Sequence, residues 1–217
     1  MLVTGWSVKG GVGTTVVAAS LAVLLSRRHP AGALLVDADG DLPSVLGLPR
    51  PDGPGLAELT TTTPDAPADR LARLEIPVDD HLSLVPRGEG DLDPAALPAV
   101  AEALLLDARP VVVDAGLLGR PGDDRRTLAG AATTSVLVLR PCYLALRRAL
   151  DAPVRPTGTV VVDEPGRSLD AADVHDVLGV PVLARLRWDP AVARAVDAGV
   201  LAQRLPRHLA RHLASVA

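Results

Sequence analysis

The sequence predicts an α/β protein with a mostly parallel sheet and helices on both faces. Three observations predict it. Runs of β-branched and Leu residues alternate with helical stretches along the chain. Several runs, such as Val111-Val112-Val113 and Val160-Val161-Val162, are apolar at every position, which suits strands buried on both faces. The first run passes through a glycine-rich loop straight into a helical stretch.

Taken in order, Leu2–Val8 is the first strand, and Thr14–Arg28 is the first helix. Ala33–Asp37 is the second strand. Pro43–Ala68 then breaks the rhythm with six prolines and the run Thr60–Thr63. It reads as a Pro-rich surface segment with one short helix near Gly55–Leu59. Leu82–Val85 resumes the strands, followed by a helix over Pro94–Leu106 that Asp93-Pro94 starts. Strand Val111–Asp114 precedes helix Pro121–Ala131, and strand Val136–Leu139 precedes helix Tyr143–Leu150. Strand Thr159–Val162 leads to helix Leu169–Leu178, with Ser168 at its start. Strand Val182–Leu186 leads to helix Ala191–Leu201 behind Asp189-Pro190, and Pro206–Val216 is the last helix. The strand pattern resumes unchanged after the Pro-rich segment, so residues 1–217 are expected to form a single domain.

Composition narrows the function classes. At 48% apolar and 22% charged residues, the chain is neither disordered nor fibrous. A single cysteine, Cys142, excludes a disulfide framework and a multi-Cys metal site. The five histidines show no zinc spacing. No apolar run reaches the ~18 residues of a membrane span. No signal segment is evident, and the expected location is cytoplasmic. A net charge of −4 speaks against nucleic acid as the main partner. Phe and Asn are absent, and Ile, Lys and Tyr occur once each, as a GC-rich gene would produce. Basic charge rests on 21 Arg and the lone Lys9. A position that stays Lys under such pressure suits a need for an ammonium rather than a guanidinium.

The most informative stretch is Ser7-Val8-Lys9-Gly10-Gly11-Val12-Gly13-Thr14-Thr15. Glycines let backbone N–H groups crowd around an anion, and the following helix N-terminus adds free donors and partial positive charge. The loop is built to wrap phosphate. Two readings of it compete. Gly11-Val12-Gly13-Thr14-Thr15-Val16 nearly fits the dinucleotide fingerprint, with an acid at Asp37, although its third small residue is Val16. Alternatively it is a nucleoside-triphosphate loop, with Thr15 as the Mg²⁺ hydroxyl and Thr14 where a lysine is expected.

Lys9-Gly10-Gly11-Val12-Gly13 followed by Thr15 resembles the deviant phosphate loop of the ParA/MinD superfamily of ATPases. There a lysine at the loop's start reaches across a dimer to the partner's nucleotide. Leu34-Leu35-Val36-Asp37-Ala38-Asp39 looks like the superfamily's second motif, and Val111-Val112-Val113-Asp114 looks like its Walker B strand. The CpaE/TadZ branch of pilus-assembly and localisation ATPases is similar at Gly55-Leu56-Ala57-Glu58-Leu59, Leu82–Gly88, Leu144-Ala145-Leu146-Arg147 and Asp189–Gly199. The resemblance implies a P-loop NTPase architecture, ATP and Mg²⁺ as ligands, and a nucleotide-dependent homodimer. It also implies a protein partner in a localisation, pilus or secretion system, or a role in partitioning. Gly10, Gly11, Val12 and Gly13 would cradle the phosphates, with Thr14 adding a donor. Thr15, Asp37 and Asp114 would serve the metal. Lys9 and Asp39 would be catalytic, Asp39 by placing the attacking water.

The departures are as informative. Thr14 stands where the β,γ-phosphate lysine is expected, so a scaffold without turnover is a second reading. Asp163 occupies the place of an Asn that reads the adenine edge, and it can accept but not donate. Ala115-Gly116 replaces a frequent Pro. Asp37-Ala38-Asp39-Gly40-Asp41 also reads as a plain acidic turn. Arg125-Arg126 and Arg147-Arg148 are expected on solvated helix faces rather than on DNA. Leu201, Leu205, Leu209 and Leu213 form one narrow stripe, which suits a sheet-covering helix better than a membrane-binding one.

Overall fold

The computed structural model describes residues 1–61, 67–119 and 123–217. The expected helix start at Pro121, together with Pro64 and the end of the threonine run, lies outside the described residues. The strands are β1 Leu2–Ser7, β2 Ala33–Asp37, β3 Ile76–Pro77, β4 Leu82–Val85, β5 Val111–Leu117, β6 Thr134–Leu139, β7 Gly158–Asp163 and β8 Val182–Arg187. The helices are α1 Thr14–Arg28, α2 Leu42–Leu46, α3 Leu56–Thr61, α4 Pro67–Leu74, α5 Leu97–Leu106, α6 Arg126–Ala131, α7 Tyr143–Leu150, α8 Ala171–Leu178, α9 Pro190–Asp197 and α10 Arg207–Leu213.

The strands form one sheet in the order β3-β4-β2-β5-β1-β6-β7-β8. Every pairing is parallel except β3 with β4. The all-apolar runs are explained by what covers each face. Leu35, Val112 and Val160 pack with α1, α2 and α10 on one side. Their neighbours Leu34, Val111, Val113 and Val161 face α3 to α8 on the other. Period-two alternation therefore carries apolar residues on both faces. Trp6 is fully buried in β1, and its indole N–H donates to Ser135 Oγ of β6 at 2.9 Å.

Three points differ from the sequence reading. The edge strand β3 was not foreseen, because two residues including a proline carry no strand pattern. The Pro-rich stretch is not one surface segment with one helix. It contributes most of α2, all of α3 and the start of α4, and Val45, Leu46, Leu56 and Leu59 within it are buried. Pro43 and Pro67 sit in the first turns of α2 and α4, where a missing N–H costs nothing. The expected single helix start at Pro94 also moves: residues 94–96 are a turn, and α5 begins at Leu97.

Candidate functional site

The site lies beyond the carboxyl ends of the central strands, where β1 is flanked by β5 and β6. Strand β1 ends at Ser7, and the loop turns into α1 through Gly11 (φ +73°) and Gly13 (φ +95°), conformations that favour glycine. Gly13 is the N-cap of α1 and brings no side-chain acceptor, and the first turn holds no acid. The helix's leading N–H groups and its positive end are thus left for a ligand. A cavity of about 630 Å³ opens there, lined by residues 10–16 of the loop and by Asp39, Asp41 and Gly116.

Thr15 and Asp114 come close together in this region, and the Thr15 hydroxyl tempers the rise of the Asp114 carboxyl pKa. Asp114 lies in β5 beside Gly5 of β1 and Asp37 of β2, and it is completely buried. Its Oδ1 accepts the Gly116 N–H at 3.1 Å, while its Oδ2 is buried without a partner. Burial pushes its carboxyl up to about 7, and the nearby Asp37 and Asp39 charges add to the rise. An orphaned buried carboxylate oxygen beside a threonine hydroxyl fits Mg²⁺ in an oxygen-only shell that retains its waters.

Asp37 is buried, and its carboxylate accepts N–H bonds from Asp39 (3.1 Å), Gly40 (2.6 Å) and Leu42 (3.0 Å). These bonds favour its ionised form, but burial outweighs them and raises its pKa. Asp37 therefore organises the acidic turn that presents Asp39, its two oxygens accepting three backbone N–H bonds between them. Asp39 packs against Gly116, whose φ is +62° and where any Cβ would overlap the Asp39 carboxyl. That close approach accounts for Gly116 in place of a bulkier residue. The Asp39 carboxylate is paired with Arg125.

Arg125 is a partner of Asp39 that sequence reasoning missed. Among the acids and arginines of positions 123–126 nothing marks one side chain as folded inward. Its guanidinium donates to Asp39, to both carboxylate oxygens of Asp123 at 2.9 Å and to the Leu117 carbonyl at 2.9 Å. The expectation of a solvated Arg125 is corrected on this point. Arg126, Arg147 and Arg148 are exposed.

Lys9 is half-buried, with Nζ 4.0 Å from Cys142 Sγ, and it is not part of the cavity wall that holds Thr15 and Asp39. Asp163 is also set apart. Its carboxylate pairs with Arg185 at 3.2 Å, and its carbonyl accepts the Trp188 N–H. It does not line the apolar cavity of about 270 Å³ that adjoins the loop between Val12, Val16, Val162, Leu186 and Trp188. Thr14 is 7% exposed and lines the larger cavity. In the C-terminal stripe Leu201, Leu209 and Leu213 are buried in the core, so it covers the sheet. Among the described residues no helix is long and apolar enough to cross a membrane.

The strand order sets the dinucleotide alternative aside. In that fold the strand after the glycine helix lies next to the first strand. Here β5 stands between β1 and β2. A glycine loop at the end of the central strand, with a threonine near a buried carboxylate on the adjacent strand, defines an α/β protein of the P-loop type.

More narrowly, the chain has the fold of the ParA/MinD superfamily. A ParA family ATPase from Chlorobium tepidum superposes with a TM-score of 0.79 at 20% identity, covering 98% of this chain and 96% of that one. The septum site-determining protein MinD of Pyrococcus horikoshii, solved with Mg-ADP, gives 0.78 at 22% identity over 99% and 93%. The cell division ATPase MinD of Pyrococcus furiosus gives 0.76 at 25% identity over 100% and 99%. No family model and no curated protein matches the sequence, so the likeness is carried by structure.

Proposed function

We propose that the chain binds ATP with Mg²⁺, hydrolyses it slowly, and pairs with a second copy in a nucleotide-dependent way to position a cellular assembly. The observation that carries this reading is the unpartnered Asp114 Oδ2 beside Thr15, at the mouth of an uncapped fifteen-residue helix. That MinD of Pyrococcus horikoshii was solved with Mg-ADP supports the same ligands. The backbone of Gly10, Gly11, Val12 and Gly13 would hold the phosphates. Thr15 and Asp114 would hold the metal, which supplies charge neutralisation on the phosphate oxygens. Asp39 would orient a water molecule towards the terminal phosphate, and Lys9 would act across the interface of the pair. The base would enter the apolar cavity between Val16 and Trp188. The CpaE/TadZ-like stretches favour a partner in pilus or secretion localisation and a cytoplasmic setting.

One observation favours a second reading, a scaffold that binds nucleotide without turnover. Thr14 supplies no charge where phosphoryl transfer wants an ammonium. Light scattering with Mg²⁺ and a non-hydrolysable ATP analogue tests the shared core of both readings, and phosphate release over hours separates them. The mass should double with analogue, and Lys9→Ala and Lys9→Arg should both stay monomeric while remaining folded. An unchanged mass in the unmodified protein refutes nucleotide-dependent pairing.

A further inference from the structure

We propose that Arg125 is a positioning residue for Asp39, fixing and neutralising that carboxylate so that a triphosphate can approach it. The inference rests on the reading of the loop as a nucleoside-triphosphate site. The guanidinium is itself held by three hydrogen bonds to two groups. Asp123 takes Nε and Nη2, and the Leu117 carbonyl at the end of β5 takes Nη2. Only Nη1 is left for Asp39. About a fifth of the Arg125 side chain and under a third of the Asp39 side chain is exposed. A planar guanidinium held this way presents one fixed N–H direction, which a flexible ammonium cannot reproduce.

The electrostatics give the pairing a purpose. Asp37, Asp39 and Asp114 crowd the strand ends, and Asp41 stands on the rim. Among the described residues Arg125 is the one cation joined to any of these four by an ion pair. Thr14 adds no positive charge, and Lys9 points to Cys142. An incoming triphosphate would otherwise meet an unscreened Asp39 carboxylate across a partly buried cavity, where like charges repel more strongly than in water. The apolar cavity shares Val12, Gly13 and Val16 with the loop cavity but is not lined by Asp39, so a nucleotide with its base there would turn its phosphate end, rather than its base, towards Asp39. The effect should fall on the triphosphate more than on the diphosphate.

The test is a double-mutant cycle read by calorimetric titration with Mg²⁺ and either a β,γ-imido ATP analogue or ADP. Arg125→Met should weaken binding of the triphosphate analogue about tenfold, as loss of one partner from a partly buried charged pair does, and ADP much less. In an Asp39→Asn background, Arg125→Met should change triphosphate affinity by less than about twofold, because no charge remains to neutralise. An equal loss in both backgrounds would show that Arg125 merely ties Asp123 to the end of β5, and no loss in either would overturn the proposal outright. Should Arg125→Met not fold, Arg125→Lys carries the same cycle. It keeps the charge but not the fork, so it should lose selectively for the triphosphate, and unchanged affinity overturns the positioning role. If the unmodified protein binds neither nucleotide, the triphosphate reading is what fails and this inference falls with it.

Discussion

Asp114→Asn, studied without metal or nucleotide, should make the protein more stable at alkaline pH. The Asp114 carboxyl is raised from 3.8 to about 7 in the fold. The folded state therefore binds the proton more tightly than the unfolded state. The sign follows from linkage: stability is lost as pH rises from about 4 through 7, and the full penalty is present above 7. A rise of about three units corresponds to about 4 kcal/mol. Asparagine keeps an acceptor for the Gly116 N–H, but it places an amide donor where Oδ2 has no partner, a cost of about 1–2 kcal/mol. The net expectation at pH 8 is a gain of roughly 2–3 kcal/mol, shrinking to nothing or reversing near pH 4. Urea denaturation of both proteins in chelator across that range measures it. With Mg²⁺ and nucleotide the order should invert, since ligand binding stabilises only the protein whose carboxylate can serve the metal. Parallel pH dependence in the two proteins would refute the assignment of Asp114 as a buried, high-pKa carboxyl awaiting a cation.

Two further changes test other parts of the molecule. Thr14→Lys restores an ammonium to a buried wall of the loop cavity. Nucleotide affinity should rise about tenfold, and phosphate release with it if Asp39 is in place, whereas no gain in either favours the scaffold reading. Arg109 forks onto Glu75 and Asp107, with all three side chains about a fifth exposed. Arg109→Met should therefore cost about 1–2 kcal/mol at pH 7. Arg109 holds the Asp107 pKa below its usual value against the opposing effect of burial, so this contribution is present above pH 4 and fades as pH falls further, which chemical denaturation at pH 7 and pH 3 would detect.

The fold was legible because its signals are local. β1, β2, β4 and β5 to β8 were visible as apolar runs, and the glycine loop was visible because helix-start glycines after a buried strand leave few alternatives. The sheet order was not legible. Whether β5 or β2 lies beside β1 is decided by packing between residues a hundred positions apart, yet it is this order that separates a triphosphate loop from a dinucleotide loop. The Pro-rich stretch misled because proline at the first turn of a helix looks, in sequence, like proline in a loop.

The acidic turn shows the same division more sharply. Asp37 and Asp39 are two residues apart and of one type, and the family resemblance assigned both of them to the site. The fold gives them opposite work. Asp37 points inward and spends its oxygens on three backbone N–H groups, while Asp39 points towards the cavity and meets a guanidinium from eighty-six positions away. A motif can record that two carboxylates are needed, but it cannot record which is consumed in building the turn. That depends on Gly116 leaving room for one carboxyl and on Arg125 holding it there. A protein that lacks the loop lysine relies on such distant groups for its charge balance, so its chemistry should respond to changes in the 116–125 stretch as strongly as to changes in the glycine loop itself.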